Sequence, residues 1–357
     1  MNTNIFLVES PFQMLCAIEA NEYFNSCESI LIIKSVSDAK SNNLMLWLID
    51  NYYNKWDNII ICNWQNPTLR DFFFMNLIRK IKKNYKINYI FVGYPETRNF
   101  QWFCEKLEHN DSFILDDGTR TLLLQNKYMY YKNYLQKTDN YYIKNINLVS
   151  LAQKIKNMLK LFSIHYIFGL KDTNRIKYNI FSCFNVKLND QQSFIKNNFT
   201  YIKNRIKNFE ILQGNVYFYG SPMYEVGIID FNNEINFLKE IYKYYNDNNK
   251  KMIYIPHRGD STKKIEEIQK FCDVKYSTSI AEIEPIINKQ LPNEIATFFS
   301  TILFTLPKIY PIKKVVSFKF DERYILRGDS KESINEIYNQ LKLENIQIKN
   351  LSRNKNA

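Results

Sequence analysis

The hydrophobic and polar positions of this chain fall into blocks that predict short buried strands, each followed by a helix. Residues 4–8 (NIFLV) form a largely apolar run, and similar runs recur at residues 29–33, 58–62 and 87–92. The segments between them space their apolar residues as an amphipathic helix does. This alternation predicts a parallel sheet with crossover helices for the first part of the chain.

The first of these helices carries a distinct start signal. Ser10 is a suitable N-cap, Pro11 suits the first helical position, and Gln13 stands where the glutamine of a capping box belongs. The sequence therefore predicts that the first strand ends before Ser10 and that a helix begins at Pro11.

The same pattern returns in the second half of the chain. A strand pattern at residues 216–219 ends in Gly220 and Ser221, and an acidic helix pattern follows. Further predicted elements are a strand at residues 252–256, a helix at residues 261–271, strands at residues 273–276 and 295–299, and a final helix opened by a capping box at residues 329–332.

The stretch between the two patterns gives a weaker signal. Residues 148–162 and 199–212 have the spacing of basic amphipathic helices, which either face solvent or contact a membrane. Because the strand and helix pattern resumes after this stretch, we place a domain boundary near Gly214. The expected domains are residues 1–213 and 214–350.

Two neighbouring carboxylates follow a short predicted strand in the first half. Asp116 and Asp117 stand directly before Gly118, where the apolar pattern stops. Adjacent carboxylates repel each other, so one of them can have a raised pKa and act as a general base. Asp-Asp-Gly is also an ordinary turn sequence, which is the plainer interpretation.

A histidine and an arginine follow a predicted strand in the second half. His257 and Arg258 come directly after residues 252–256, and Gly259 then lets the chain turn. Ligands of open parallel sheets bind beyond the carboxyl ends of the strands, and this pair suits a phosphate. The chain has only three histidines, although a histidine satisfied within a loop remains the alternative.

Ser300 and Thr301 form a third polar group, after the predicted strand at residues 295–299. Hydroxyls beside the N–H groups of a helix start can bind an anion, or they can serve as a plain N-cap. All three groups lie at predicted strand ends and are divided between the two halves, which favours a ligand site over three unrelated turns.

The composition narrows the class of protein. A chain of 357 residues with 45% hydrophobic residues should be globular, and its net charge of +12 points to an anionic partner, such as a nucleotide-linked substrate, a membrane surface or nucleic acid. The six cysteines form no CxxC pair, so we expect neither a zinc site nor a disulfide framework. No signal-peptide pattern or long apolar run is present, so we expect a cytoplasmic protein that is soluble or lies on a membrane.

Together the three groups resemble the motifs of bacterial sialyltransferases of the two-Rossmann-domain (GT-B) type, notably glycosyltransferase family 52 and the polysialyltransferases. Those enzymes share an acidic-acidic-glycine motif, an HP motif in the second half, and a Ser-Ser or Ser-Thr pair after it. This chain has LDDG at residues 115–118, IPHR at residues 255–258 and FFST at residues 298–301. Its opening VESPFQMLCAIEA, residues 8–20, is also similar, whereas Arg258 stands where the family has proline.

The resemblance implies an α/β fold of the GT-B class, with two Rossmann-like domains and the active site in the interdomain cleft. It implies that Asp116 is the base that deprotonates the acceptor hydroxyl, that Asp117 supports it, and that His257 stabilises departing cytidine monophosphate. Asp230 is a second candidate for the base. The expected donor-binding residues are Ser300, Thr301 and Glu284, which the resemblance implies, together with Arg258, Gly220 and Ser221 at predicted strand ends. Glu284 would either bind the ribose hydroxyls or lie on the surface as an ordinary glutamate.

We therefore expect an inverting glycosyltransferase that needs no metal and no cofactor. It would move sialic acid, or a related nonulosonic acid, from its CMP derivative to a terminal galactose of lipooligosaccharide or another surface glycan. The resemblance also implies a peripheral position on the anionic inner membrane surface and suggests a homodimer. The alternatives are a GT-B transferase with another donor, such as a uridine diphosphate sugar, and a basic nucleic-acid-binding protein, for which no known motif is present.

Overall fold

The computed structural model describes residues 2–351 except residues 26, 123–176, 187, 189–191 and 207. The chain divides into two compact units, Met1–Asn197 and Asn198–Ala357. The division comes earlier in the chain than the boundary expected near Gly214, which lies inside a strand. Gly214 has a φ of +76° at a point where the pairing with the neighbouring strand shifts its register. This glycine therefore marks an irregularity within a long strand.

The first unit is a seven-stranded sheet in the order β3-β2-β1-β4-β5-β6-β7, and every neighbouring pair is parallel. The strands predicted at residues 4–8, 29–33, 58–62 and 87–92 are confirmed as β1 to β4. The strands are β1 (Asn2–Val8), β2 (Glu28–Lys34), β3 (Asn58–Cys62), β4 (Lys86–Val92), β5 (Asp111–Ile114), β6 (Tyr178–Ser182) and β7 (Phe194–Lys196).

Helices connect these strands and cover the sheet. They are α1 (Pro11–Tyr23), α2 (Ala39–Trp47), which continues into a π-helical turn (Leu48–Tyr52), α3 (Pro67–Asn84) and α4 (Arg98–Lys106). The core forms where the central strand β1, buried from Thr3 to Val8, packs against these helices and its neighbours. The strand order reverses between β1 and β4, which opens a crevice at the carboxyl edge of the sheet.

The second unit repeats this design with a six-stranded parallel sheet in the order β10-β9-β8-β11-β12-β13. Its strands are β8 (Glu210–Tyr219), β9 (Lys251–Ile255), β10 (Asp273–Val274), β11 (Gln290–Thr297), β12 (Lys314–Lys319) and β13 (Gln347–Asn350). Its helices are α5 (Thr200–Arg205), α6 (Phe231–Asp247), α7 (Thr262–Gln269), α8 (Glu284–Asn288), α9 (Ile302–Ile309) and α10 (Gly328–Leu343), with a 3₁₀ turn at Glu322–Tyr324. The strand order reverses between β8 and β11.

Two predicted helices differ from the structure. The helix expected at residues 199–212 is wrong, because α5 has six residues and β8 begins at Glu210. Residues 210–212 pair with β11, and this sheet pairing overrides the helical spacing of the segment. The last helix begins at Gly328, with Arg327 as its N-cap residue, so its start comes before the capping box expected at residues 329–332.

The other basic helix, expected at residues 148–162, lies outside the described residues. Over the ranges that the structure covers, no helix combines the length and the apolar character needed to cross a membrane.

Candidate active site

The two adjacent carboxylates after β5 have opposite surroundings. Asp116 is fully buried, and its oxygens accept hydrogen bonds from the Ser182 hydroxyl at 2.5 Å and the Cys183 backbone N–H at 2.8 Å. Asp117 keeps 17% of its side chain exposed. Asp116 therefore joins the end of β5 to the end of β6, whereas Asp117 presents a carboxylate that a ligand can reach.

A buried glutamine from the start of α1 contacts Asp117. Gln13 Nε2 donates a hydrogen bond to Asp117 Oδ1 at 2.8 Å, while Gln13 Oε1 accepts one from the backbone N–H of Glu9 at 2.9 Å. The prediction that Ser10 is the N-cap is confirmed, since its hydroxyl accepts from the Gln13 N–H at 3.3 Å. The Gln13 side chain, however, bonds to the residue before the cap and reaches across the sheet to Asp117.

Gly93, directly after β4, makes room for this glutamine. A Cβ atom at Gly93 would lie 2.3 Å from Gln13 Oε1 and 2.6 Å from Gln13 Cδ, well inside van der Waals contact. A glycine at this position therefore lets the Gln13 side chain cross the crevice between β1 and β4 and reach Asp117.

A cation and a phenol border the exposed side of Asp117. Arg120 Nη1 lies 3.9 Å from Asp117 Oδ2, and the Arg120 guanidinium lies 5.0 Å from the centre of the Tyr94 ring. Burial raises the pKa of the Tyr94 phenol, and its hydrogen bond to Glu96 raises it further, so the phenol is neutral at physiological pH. The exposed positive charge of Arg120 therefore lies at the rim of the site.

His257 follows β9 as predicted, and its loop selects the tautomer of the ring. The Gly259 backbone N–H donates to His257 Nδ1 at 3.0 Å, and the His257 backbone N–H donates to Asp260 Oδ2 at 2.9 Å. An Nδ1 that accepts a hydrogen bond carries no proton, so the neutral ring has its proton on Nε2. The residue is exposed, yet protein atoms around the ring exclude water and lower the pKa of His257, against the opposing charge of Asp260.

A buried charge cluster that the sequence analysis missed lies beside this loop. Lys264 is fully buried, and its ammonium group donates to the Ser221 carbonyl at 2.7 Å, to Asp260 Oδ1 at 3.0 Å and to Glu234. Glu225 Oε2 lies 3.6 Å from the same nitrogen. We call Lys264, Asp260, Glu234 and Glu225 the Lys264 cluster. It joins the loops after β8 and β9 to helices α6 and α7.

Burial favours the neutral form of each charged group in this cluster, so it acts to raise the pKa of Glu234 and to lower the pKa of Lys264. It raises the pKa of Glu234 to about 7, although Lys264 and the Tyr224 backbone N–H favour the ionised carboxylate. The pKa of Lys264 is raised too, because its carboxylate partners outweigh the effect of its burial. Lys264 therefore stays charged. No sequence pattern distinguishes it from Lys263, the neighbouring lysine of helix α7, which is exposed.

Gly220 and Ser221, predicted to bind the donor, follow β8 and support the His257 loop. A Cβ atom at Gly220 would lie 2.3 Å from the Tyr254 hydroxyl and 2.5 Å from Asp260 Oδ2. The Tyr254 hydroxyl donates to that same Asp260 oxygen at 2.7 Å. Within the described structure, Gly220 acts through close packing and Ser221 through its carbonyl, which accepts from Lys264.

Ser300 and Thr301 follow β11, across the reversal of strand order from Gly220. Thr301 is the N-cap residue of α9, but its side chain makes no capping hydrogen bond. Both residues are partly exposed. The plain N-cap interpretation of the Thr301 hydroxyl is therefore not what the structure shows.

Glu284 opens α8 and is nearly buried, with 8% of its surface exposed. Its carboxylate accepts hydrogen bonds from the Ser277 hydroxyl and from Asn288 Nδ2, the latter at 3.2 Å, and Lys275 Nζ lies 4.0 Å away. Glu284 is therefore not the ordinary surface glutamate of the plainer interpretation.

Asp230 has a structural task in the fold. It is the N-cap residue of α6, and its Oδ1 accepts a hydrogen bond from the Asn233 backbone N–H at 2.9 Å. Among the residues that the structure describes, no group of three or more histidine, cysteine, aspartate and glutamate side chains could hold a metal ion.

Sequence comparison decides the family. The profile of a family described as alpha-2,8-polysialyltransferase (POLYST) matches residues 4–319. This chain belongs to that family. None of the curated proteins matches the sequence.

A solved structure shows the same fold at low sequence identity. An α/β-galactoside α-2,3-sialyltransferase from Photobacterium phosphoreum is similar at a TM-score of 0.51 and 11% identity, covering 97% of this chain and 98% of that chain. MnaA of S. aureus in complex with UDP gives a TM-score of 0.49 at 10% identity, covering 96% of this chain and 88% of that chain. The family and the fold together make this chain a bacterial sialyltransferase of the GT-B class.

The structure places the predicted site residues in two groups, one in each unit. Asp116 and Asp117 lie at the carboxyl edge of the first sheet. In the second unit, the predicted residues follow adjacent strands or open a helix: Gly220 and Ser221 after β8, His257 and Arg258 after β9, Ser300 and Thr301 after β11, and Glu284 at the start of α8. Sequence reasoning missed the contact of Gln13 with Asp117, Arg120 and the Lys264 cluster.

Proposed function

We propose that this sialyltransferase is an inverting enzyme that uses CMP-sialic acid, or the CMP derivative of a related nonulosonic acid, with Asp117 as the base. One observation carries the assignment: Asp116 is enclosed by Ser182 and Cys183, whereas Asp117 keeps part of its carboxylate exposed. A general base must come within hydrogen-bond reach of the proton it removes. The base role expected for Asp116 therefore moves to Asp117, and Asp116 supports it.

The proposed reaction is a single displacement. The acceptor hydroxyl gives its proton to the Asp117 carboxylate while its oxygen attacks the anomeric carbon of the donor. The bond from that carbon to the phosphate oxygen breaks, and its electron pair leaves with cytidine monophosphate. Attack from the face opposite the phosphate inverts the configuration. A positioned base contributes about 10²–10⁴ in rate to such a step.

The second unit would serve the donor. The neutral His257 ring can donate its Nε2 proton to a phosphate oxygen, and the exposed Arg258 adds a positive charge beside it. Ser300 and Thr301 would donate hydroxyl and backbone hydrogen bonds to the same phosphate. Glu284 would accept hydrogen bonds from the ribose hydroxyls beside its present partners. Gly220 and Ser221 would act by shaping the His257 loop.

Two classes of acceptor fit this site. One is the terminal galactose of lipooligosaccharide or another surface glycan. The other is a glycan that ends in sialic acid, and Arg120 favours it, because an exposed guanidinium 3.9 Å from Asp117 Oδ2 suits an acceptor with its own carboxylate. The alpha-2,8 activity in the family description agrees with this second class.

A transfer assay tests the proposal. Purified protein is incubated with CMP-sialic acid or a uridine diphosphate sugar, and with oligosaccharides ending in galactose or in sialic acid. We expect released cytidine monophosphate and a product of inverted configuration by NMR, with activity that survives excess EDTA. Transfer from the uridine diphosphate sugar alone would favour the alternative donor class, and retained configuration would contradict the single displacement.

Membrane association and assembly form a separate part of the proposal. The net charge of +12 supports a peripheral position on an anionic inner leaflet. Sedimentation with anionic vesicles, compared with neutral vesicles, would measure this binding. The homodimer remains a prediction, and light scattering of the purified protein would test it.

A further inference from the structure

We infer that Gln13 is a positioning residue for the reaction: its side-chain amide holds the Asp117 carboxylate by Oδ1 and thereby fixes the orientation in which this carboxylate meets the acceptor. The inference rests on the proposed role of Asp117 as base. It goes beyond the capping role that the sequence predicts for Gln13.

The amide of Gln13 is held at both ends. Its Oε1 accepts from the Glu9 backbone N–H at 2.9 Å, so the opposite end of the amide must be the NH₂ group that donates to Asp117 Oδ1 at 2.8 Å. Only 1% of the Gln13 surface is exposed, so water does not compete for these bonds. A flip of the amide would set an N–H against the Glu9 N–H and an oxygen against a carboxylate.

A neutral donor suits a carboxylate that must act as a base. An amide N–H stabilises the ionised form of Asp117 without adding a full positive charge, so the carboxylate keeps enough basicity to accept a proton. A buried lysine or arginine in the place of Gln13 would form an ion pair and lower that basicity. Arg120, a cation near Asp117 among the described residues, lies farther away than the amide at 3.9 Å and is 61% exposed, so solvent screens it.

Because residue 93 is a glycine, the fold has room for the Gln13 amide. The Cα of Gly93 lies against the Gln13 side chain so closely that a Cβ would come within 3 Å of its Oε1, Cδ and Cγ atoms. A glutamine that only capped α1 would need no such space, because a capping side chain stays within its own first turn. The link instead spans 104 positions of the sequence, from α1 to the end of β5.

Two substitutions of Gln13 separate positioning from packing. In Gln13→Glu, a second carboxylate faces Asp117 Oδ1, and two carboxylates at that distance share a proton. We expect the acidic limb of the pH profile of kcat/KM to move up by at least about one pH unit. In Gln13→Leu, the hydrogen-bond donor is lost, and we expect kcat to fall roughly tenfold to a hundredfold, which is less than the loss of the base itself would cause, with the KM for the donor sugar nucleotide unchanged.

Gln340 supplies a matched control. It is also nearly buried, and its Nε2 donates to a carboxylate oxygen, Glu336 Oε1, at 3.3 Å on helix α10 of the second unit. Gln340→Glu makes the same chemical change away from the proposed base. We expect its acidic limb and its kcat to match those of the wild-type protein, even if its melting temperature falls.

A double-mutant cycle with Gly93 keeps the inference testable if a Gln13 variant folds poorly. Gly93→Ala alone should displace the amide and reduce kcat as Gln13→Leu does. In a Gln13→Ala background the added methyl group meets no amide, so we expect Gly93→Ala to reduce kcat much less there than in the wild-type background.

The outcomes separate the inference from the proposed function. If the wild-type protein transfers sialic acid and Asp117→Asn does so equally well, the base assignment fails. If Asp117→Asn is inactive but Gln13→Leu keeps a wild-type kcat and Gln13→Glu leaves the acidic limb in place, only the inference about Gln13 is overturned. Equal effects of Gly93→Ala in both backgrounds would also overturn it.

Discussion

The carboxylate site of the first unit and the histidine loop of the second are held in place by opposite kinds of interaction. Asp117 is charged, and two of the groups that hold this part of the chain are neutral: the Gln13 amide, and the Thr121 hydroxyl, which accepts from the Asp117 backbone N–H at 2.9 Å. His257 is neutral, and its loop is fixed by the Lys264 cluster, in which one buried ammonium meets three carboxylates.

The two sites also share a structural device. A glycine directly follows a strand in each unit, Gly93 after β4 and Gly220 after β8. A Cβ atom would lie 2.3 Å from Gln13 Oε1 at the first position and 2.3 Å from the Tyr254 hydroxyl oxygen at the second. Gln13 uses this space in the first unit, and Tyr254 and Asp260 use it in the second. In both units, the missing side chain of a glycine at the strand end leaves the space that a positioning side chain occupies.

The difference predicts where each site is vulnerable. A neutral hydrogen bond can be lost at a cost of about 1–3 kcal/mol, whereas removing one partner of a buried ion pair costs about 3–5 kcal/mol, because a buried charge is left without its partner. Damage to the first site should therefore appear mainly in catalysis, and damage to the second mainly in folding.

The largest expected effect separates the two aspartates of the first unit. Asp117→Asn should lower kcat by about 10²–10⁴, the contribution of a general base, without changing the free energy of unfolding. Asp116→Asn should instead cost about 1–3 kcal/mol of stability, because its new N–H group faces a donor at Ser182 or Cys183. Turnover and urea unfolding measure the two effects.

Asp230→Ala is the control for this pair, since an N-cap should affect stability by about 1 kcal/mol and leave turnover intact. An inactive, folded Asp116→Asn variant beside an active Asp117→Asn variant would return the base role to Asp116. An inactive, folded Asp230→Ala variant would move it to the second unit.

The next effect concerns the Lys264 cluster. Lys264→Met should destabilise the second unit by about 3–5 kcal/mol, because Asp260, Glu234 and Glu225 would be left without their cation. Adding Glu234→Gln should restore part of this loss by removing one of the unpaired charges. Urea unfolding followed by circular dichroism measures both.

The exposed ion pair of the same helix region supplies the control. Lys270 and Glu267 are 66% and 34% exposed, so solvent screens their attraction and Lys270→Met should leave the unfolding free energy nearly unchanged. Equal effects of the two lysine substitutions would contradict the structural role of the Lys264 cluster.

A smaller effect is expected at Gly220. Gly220→Ala places a methyl group against the Tyr254 hydroxyl and Asp260 Oδ2, so the His257 loop must shift, at a cost of about 1–3 kcal/mol. We expect weaker binding of cytidine monophosphate, measured by calorimetry. Gly214→Ala is the contrast, because no atom lies within 4 Å of its Cβ position and its φ of +76° is the main obstacle. It should lower stability and leave nucleotide affinity unchanged.

The smallest effect is the titration of His257. Its pKa lies below 6.5, so between that pKa and 6.5 the folded protein binds fewer protons than the unfolded chain, and stability falls as the pH decreases through this window. The residue is exposed, so we expect less than about 1 kcal/mol. NMR titration, with the signal assigned by His257→Gln, should give a midpoint below 6.5. A midpoint above 6.5 would mean that the Asp260 carboxylate raises the pKa of His257 by more than burial lowers it.

The sequence predicted the elements of the fold well, because hydrophobic periodicity is a local property. The strands at residues 4–8 and 252–256 and the helix start at Ser10 are all marked by neighbours within one or two turns. The family motifs also fell at strand ends, as expected. The segment at residues 199–212 shows the limit: its helical spacing is real, but pairing with β11 decides that part of it is a strand.

The sequence by itself determined that Asp116 and Asp117 stand at a strand end, that a histidine and an arginine follow another strand, and that a glutamine lies near the start of the first helix. Only the tertiary structure decided what these residues do. Neighbouring residues of an extended chain point in opposite directions, so which aspartate meets Ser182 and which meets Gln13 depends on how the strands pair. The burial of Lys264 likewise depends on carboxylates that come from three separate segments of the chain. A local sequence pattern depends on the neighbours of a residue along the chain. The protonation state and the accessibility of its side chain depend on the partners that folding brings to it.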